Sequence, residues 1–267
     1  MTKAVRLIEE NLKLVDTVGY VLDARAPEAC FNPIFDRLTD GKSAVYILNK
    51  CDLADPKKTE QFAQKLKSEG KTVVCVSAIN TGAIKAVTQA FVNSEYDRIS
   101  KFKAKGITRP VRAMIIGVPN CGKSTVINAV SGKKKTVTGD KPGVTKGKQW
   151  VRLTDGLELM DTPGTLWGKI EDEASARRLC YIGSIKDDVV DICELAPLLL
   201  DDLKQSYPAE LNKRYNISCE ELDGQSILDE ICKKRGCTVK GGEPDRLRGA
   251  KAVLDDFRKG RIGRITL

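Results

Sequence analysis

The apolar run RAMIIGV at 112–118 passes without a break into Gly117-Val118-Pro119-Asn120-Cys121-Gly122-Lys123-Ser124-Thr125, and the segment KSTVINAVS (123–131) has the apolar spacing of a helix. Few folds accommodate a strand, a glycine-bearing loop and a helix in that order. The spacing G-x-x-x-x-G-K-[ST] places glycines where backbone N–H groups must come close to a polyanion. The positive end of the helix falls at the same point. Lys123 is expected to reach the β- and γ-phosphates of a nucleotide, and Ser124 to offer its hydroxyl to Mg²⁺. Asn120, Cys121, Gly122 and Thr125 belong to the same nucleotide-binding loop. A lone strand cannot bury both its faces, so the rest of the chain must supply a sheet and covering helices.

It does so by alternation. Residues 3–15 read as an amphipathic helix, 18–24 (VGYVLDA) as a buried strand and 31–38 as a short helix. Then come the strand 43–49 (SAVYILN), a helix over 56–69 opening at Pro56, the strand 72–78 (TVVCVSA) and a helix over 81–92. QWVRLTD and LELMD (149–155 and 157–161) pair as a hairpin about Asp155-Gly156. Residues 93–111 are basic and end in Arg109-Pro110, as a linker or exposed loop would. Beyond about 172 only helices are expected, at 173–185, 187–206, 208–214, 226–235 and 246–259. Leu198, Leu199, Leu200 and Leu203 mark one apolar face there. The fold class is α/β, a mostly parallel sheet with helices on both faces over residues 1–175, followed by an all-helical domain over 176–267. Ligands of such sheets gather at the carboxyl ends of the strands.

Three of those ends carry chemistry. LELMD closes in Asp161-Thr162-Pro163-Gly164, about forty residues after the phosphate loop. A carboxylate at Asp161 holds Mg²⁺ through water, and the Gly164 N–H meets the γ-phosphate. Between the two, 133–149 (KKKTVTGDKPGVTKGKQ) has no periodic apolar residues. Thr145 is its candidate to complete the Mg²⁺ shell, in a segment ordered by the γ-phosphate. Lys123, Thr145 and Gly164 are therefore the candidates for stabilising the transferring phosphoryl group. Strand 43–49 ends in Asn49-Lys50-Cys51-Asp52. A carboxylate at Asp52 accepts two N–H bonds from guanine N1 and N2, a pair that adenine lacks. Asn49 supports the loop and the base, and the Lys50 stem lies along the purine face. Strand 72–78 brings Ser77-Ala78, whose backbone N–H meets guanine O6. N-K-x-D alone is a weak tetrapeptide, but beside the phosphate loop it makes GTP and GDP the expected ligands.

The order of these motifs is unusual. In ordinary small GTPases the phosphate loop comes first and N-K-x-D and S-A come last; here N-K-x-D and S-A lead. Joining the ends of the ordinary chain and cutting before the strand at 18–24 produces this order. Surface loops and termini tolerate such a circular permutation. As a consequence, the segment after Gly164 runs straight into the helical domain, so nucleotide state can move that domain.

Composition narrows the chemistry further. The chain has no histidine, which excludes Ser-His-Asp and Cys-His mechanisms for these residues and removes the commonest general base. Its nine cysteines include no C-x-x-C, so neither a zinc site nor a disulfide framework is expected, and the thiols read as reduced. Cys75, within TVVCVSA, reads as a small buried hydrophobe. No apolar run approaches the ~18 residues that span a bilayer, and MTKAVRLIEENLKLVD is an amphipathic helix pattern. Residues 98–152 hold 14 Lys/Arg and one acid, Asp140, which points to a polyanionic partner. The basic residues Arg258, Lys259, Arg261 and Arg264 near the chain's end point the same way.

These residues, in this order, resemble the circularly permuted GTPases of the RbgA/YlqF type. The resemblance covers essentially the whole chain: NLKLVDTVGYVLDARAP (11–27), NKCD, GVPNCGKST, DKPGVT (140–145), DTPGTLW (161–167) and DFRKGRIGRITL (256–267). It implies a cytoplasmic, monomeric GTPase that takes part in late assembly of the large ribosomal subunit and contacts its rRNA. It also implies K⁺ as a second cofactor beside Mg²⁺, because GTPases with asparagine at the Asn120 position often bridge the α- and γ-phosphates with a monovalent cation, as an arginine would. Family members normally carry an N-terminal His-Met whose histidine assists hydrolysis. Met1 resembles that methionine, so a preceding segment is expected. Thr165 stands where Ras-like proteins carry the water-orienting glutamine, so hydrolysis is expected to be slow without outside help. Two readings stay open: a GTPase cycling on the assembling subunit, and a GTP-dependent RNA- or ribosome-binding module with little intrinsic hydrolysis.

Overall fold

The computed structural model describes residues 3–77, 83–131, 149–154, 156–166, 170 and 172–267. Its strands are β1 (Thr17–Asp23), β2 (Ser43–Asn49), β3 (Thr72–Cys75), β4 (Val111–Ile116), β5 (Gln149–Thr154) and β6 (Leu157–Asp161). They form one six-stranded sheet in the order β3-β2-β1-β4-β6-β5. Neighbours are parallel except for the β5–β6 hairpin. β1 is buried along its whole length, which is why TVGYVLD reads as a continuous apolar run and does not alternate. Counted from the phosphate-loop strand as first, the order becomes 6-5-4-1-3-2, so the permutation moves the chain ends and leaves β1 and β4 side by side at the centre of the sheet. The connections from these two neighbours lead to opposite sides of the sheet. The crevice at their carboxyl ends is therefore the topological switch point, where ligands of such sheets bind.

Around the sheet lie α1 (Lys3–Leu12), α2 (Pro33–Leu38), α3 (Pro56–Ser68), α4 (Ala83–Ser94), α5 (Tyr96–Ala104) and α6 (Lys123–Ser131). α2 and α3 begin by local rule. Asn32 and Asp55 accept backbone N–H bonds from the first turn, and proline occupies the first helical position of each. Three expectations need correction. Residues 93–111 are not a linker throughout, because α5 lies within them. That helix buries no residue and so has no apolar periodicity to announce it. Charge holds it in place: Asp16 pairs with both Arg98 (2.6 Å) and Arg109 (2.5 Å), and both guanidiniums also lie over the Phe102 ring. Cys75 is exposed, because β3 is the edge strand of the sheet. Leu198 is 40% exposed, whereas Leu199, Leu200 and Leu203 are buried.

The remainder is helical: α7 (Glu173–Tyr181), α8 (Ile192–Ser206), α9 (Pro208–Tyr215), α10 (Gly224–Lys234) and α11 (Arg246–Arg258). Aspartates 172, 191, 223 and 245 cap four of these helices. The cap at Asp191 starts α8 later than the expected 187, and a single 3-10 turn, Asp187–Val189, precedes it. α8 packs against α10 and α11 through its leucines. The Asp256 carboxylate is buried beneath them and accepts from Arg214, Arg235, Arg261 and the Tyr215 hydroxyl. Among the described residues no helix is long and apolar enough to cross a membrane.

Candidate functional site

The phosphate loop leaves β4 and turns into α6. Its two glycines have backbone conformations that side chains rarely adopt, with φ of 151° at Gly117 and 97° at Gly122. Gly122 also has no room for a Cβ, which would run into the Asn49 amide. Lys123, only 6% exposed, folds back over the loop and donates to the carbonyls of Gly117 (3.2 Å) and Val118 (2.8 Å). Burial raises the Cys121 thiol above its ordinary pKa, and its backbone carbonyl is what faces the base loop.

Asn49 and Lys50 cross from the end of β2 to this loop. Asn49 Nδ2 donates to Cys121 O (2.9 Å), and Lys50 Nζ donates to Asn120 O (2.6 Å). Lys50 and Asn120 are both in the left-handed region, at φ 62° and 57°, a conformation that costs a non-glycine residue about 1 kcal/mol or more. Such strain persists only where surrounding bonds over-determine the backbone, as the crossing bonds between these two loops do here. Cys51 N–H donates to Val76 O, so the loop is also fastened to the neighbouring strand end (3.2 Å). Nearby, the Ser77 hydroxyl oxygen is buried with no hydrogen-bond partner among the described residues. Ala78 lies outside the described residues.

On the γ-phosphate side, Ser124 Oγ donates to Asp161 Oδ2 (2.7 Å), and Asp161 is 1% exposed. Two of the three residues expected to hold Mg²⁺ are thus side by side, and both offer hard oxygen atoms of the kind Mg²⁺ takes. Gly164 abuts the loop: a Cβ there would lie 2.6 Å from Pro119 Cα and 2.9 Å from Lys123 Nζ. Thr165 N–H donates to Gly117 O (3.3 Å). Thr145 and Lys133, Lys134 and Lys135 fall outside the described residues.

A cleft of about 710 Å³ opens between these loops and the helical domain. Lys50, Asn120, Gly122 and Thr125 line one wall, and Lys186 and Lys259 stand on the other. Its size suits a nucleotide-sized ligand.

Several residues that sequence reasoning assigned no role hold the site. Asp23, at the end of β1, is fully buried and pairs with Arg25 (2.6 Å) and Lys50 (2.8 Å). Burial alone would raise its carboxyl; the two cations outweigh it and hold the group well below the usual carboxylate range. Arg25 continues to the Arg258 carbonyl (2.9 Å). Asn120 Nδ2 donates to Gly183 O (2.7 Å), and Ser184 Oγ donates to Pro119 O (2.7 Å), so the turn after α7 is fastened to the phosphate loop. The Asp23-Ala24-Arg25 segment was visible in the sequence, but its partners 233 residues away were not. Ser184 left no sequence signal at all.

The basic residues are less available to a polyanion than their count suggests. Arg98 and Arg109 pair with Asp16, and Arg112 with Glu158. Arg258 pairs with Asp187, Lys259 and Arg261 with Asp255, and Arg264 donates to carbonyls of the base loop.

Comparison with known proteins agrees with this geometry. The profile of the family described as "50S ribosome-binding GTPase" matches residues 112–223. Over its whole length the chain is 38% identical to Ribosome biogenesis GTPase A of Priestia megaterium, spanning 93% of that protein. It is 32% identical to Ribosome biogenesis GTPase A of Thermotoga maritima, over 99% of this chain and 90% of that one. The solved structure of GNP-bound YlqF from T. maritima superposes with a TM-score of 0.69 at 29% identity, covering 99% of this chain and 97% of that one. This chain, a P-loop GTPase with its motifs in permuted order, belongs to the ribosome biogenesis GTPase A family.

Proposed function

We propose that the chain binds GTP in the crevice between β1 and β4, hydrolyses it to GDP and phosphate, and acts in assembly of the large ribosomal subunit. One observation carries the site: Asn49 and Lys50 bond to carbonyls of the phosphate loop, so the guanine-reading and phosphate-binding segments form a single pocket. In this reading Asp52 selects guanine, with Asn49, Lys50, Cys51, Ser77 and Ala78 shaping the base site. Asn120, Cys121, Gly122, Lys123, Ser124 and Thr125 hold the phosphates, and Gly164 meets the γ-phosphate. Ser124 and Thr145 would hold Mg²⁺ directly and Asp161 through water, and the ion would supply positive charge against the charge that develops on the transferring phosphoryl group. The Asn120 side-chain oxygen is the proposed ligand for K⁺.

Hydrolysis by the chain alone is slow. Thr165 is 4% exposed and its hydroxyl donates to Pro163 O (3.2 Å), so it is not aimed at an attacking water. A group supplied by the ribosomal partner completes the site. The division into a GTPase domain, 1–175, and a helical domain, 176–267, follows from the same reading, with the helical domain contacting the subunit. The protein works in the cytoplasm as a monomer.

The test is single-turnover GTP hydrolysis with and without purified large subunits, in KCl and in NaCl of equal ionic strength. The expected result is subunit stimulation, larger in K⁺. Tight GTP-dependent subunit binding without stimulation would favour a nucleotide-gated binding module, the reading that Thr165 makes the real competitor.

A further inference from the structure

The segment 260–267 leaves α11 and returns to the carboxyl edge of the sheet, where it bonds to the loops that follow β1 and β2. Arg264 donates from Nε to Ala54 O (3.0 Å) and from Nη2 to Cys51 O (2.8 Å). Ile265 N–H donates to Leu53 O (3.0 Å), and Leu267 N–H to Arg25 O (2.8 Å). The Thr266 hydroxyl donates to Ala24 O (2.9 Å) and accepts from Asp55 N–H (3.1 Å). Gly260, at φ 67°, lies against Leu53, where a Cβ would come within 2.8 Å of Leu53 Cδ2. Ile265 and Thr266 are 1% and 5% exposed.

The pattern is selective. The carbonyls of Cys51, Leu53 and Ala54 lie beyond the end of β2, where the ladder no longer supplies donors, and all three receive one from this tail. They bracket Asp52. Reading a base through two parallel N–H bonds demands that a carboxylate be held to within a fraction of an ångström. A loop whose backbone is already immobile makes that contact without first being ordered by its ligand.

We propose that the 260–267 segment is a positioning element of the guanine site, with Arg264 as its main anchor: by bridging Cys51 O and Ala54 O it sets where Asp52 stands. The inference rests on the reading of Asp52 as the base acceptor, and the experiment separates the two. Hypoxanthine lacks the 2-amino group of guanine, so the ratio of GDP to IDP affinity reports the Asp52 contact alone. Both affinities are measured by equilibrium titration for the parent, Asp52→Asn, Arg264→Ala and Arg264→Lys, with circular dichroism and melting as the fold control. Arg264 is exposed, so its removal leaves the two carbonyls to water and the fold intact.

The parent is expected to prefer GDP by about tenfold or more. Arg264→Ala should lower that preference by about threefold or more, and speed GDP release more than IDP release. Arg264→Lys, which reaches one carbonyl, should fall between. If Asp52→Asn abolishes the preference while Arg264→Ala lowers both affinities equally, or neither, the tail is a structural strap and the proposal is overturned. If Asp52→Asn leaves the preference intact, the base-site reading falls and the proposal with it.

Discussion

The phosphate half and the base half of this site are built differently. The phosphate half keeps its own charged and hydroxyl side chains within one half of the sheet, although Asn49, Lys50 and the turn at Gly183-Ser184 also bond to its loop. Lys123 bonds to carbonyls five and six residues away, and Ser124 meets Asp161 across 37 residues of the same half of the sheet. The base half is assembled from distance: Asn49 and Lys50 reach the phosphate loop across about seventy residues, and Arg264 reaches the base loop across more than two hundred. Local wiring keeps the proposed anion-binding side chains within one half of the sheet. Distant wiring makes base recognition a property of the finished fold, helical domain included.

Substitutions can break or sharpen that contrast. The largest effect is expected at Lys123. Lys123→Ala removes the phosphate charge partner and should weaken GTP by about a hundredfold or more. Calorimetric titration with GTP and ITP should show the same loss for both, since base reading is separate; a changed ratio would break the comparison. Asp52→Asn comes next. It should cost GTP about tenfold to a hundredfold and favour xanthosine triphosphate, read by competition against a fluorescent nucleotide. Xanthine presents a carbonyl where guanine has an amine, so a gain for xanthosine marks the base half alone.

Gly122 joins the halves, and Gly122→Ala tests the joint. The added methyl meets both a strained φ and the Asn49 amide, so destabilisation of about 1–3 kcal/mol is expected. Scanning calorimetry should find the melting point lowered by several degrees. Wild-type stability would mean that the loops separate without cost. The smallest effect is on pH. The folded-state pKa of Asp23 is depressed, so its contribution is fully present above the unfolded value of about 3.9 and is lost as pH falls through the lower folded value. The Asp23–Lys50 link therefore adds no pH dependence to nucleotide affinity between about pH 5 and 7, and within the folded protein it weakens only as pH falls through the depressed folded-state value. A loss of affinity near pH 6 that Asp23→Asn removes would contradict this.

Legibility in the sequence follows the same division. β2 and α6 stand where the pattern placed them, because a buried parallel strand and a helix behind a phosphate loop each carry a local signature. α5 escaped detection because ion pairs to Asp16 hold it, and no apolar face does. Cys75 was misplaced because an apolar run does not say whether its strand lies at the edge of a sheet. The phosphate-loop motif is carried by consecutive residues, so it can be read in the sequence without the fold. Asp23, Ser184 and Arg264 gain meaning only from partners far along the chain, and the cationic character that made Arg264 look like an RNA contact is directed at two backbone carbonyls.

The tail's reach has a consequence in time. Ala54 is made 210 residues before Arg264. At a synthesis rate of roughly 5–20 residues per second, the base loop waits on the order of 10–40 s for its donor. Over most of that interval the emerging polypeptide already holds the strand, loop and helix of the phosphate half. A nascent chain of this protein should therefore grip polyphosphate before it can tell guanine from other bases, and acquire its selectivity only once residues 260–267 have been made.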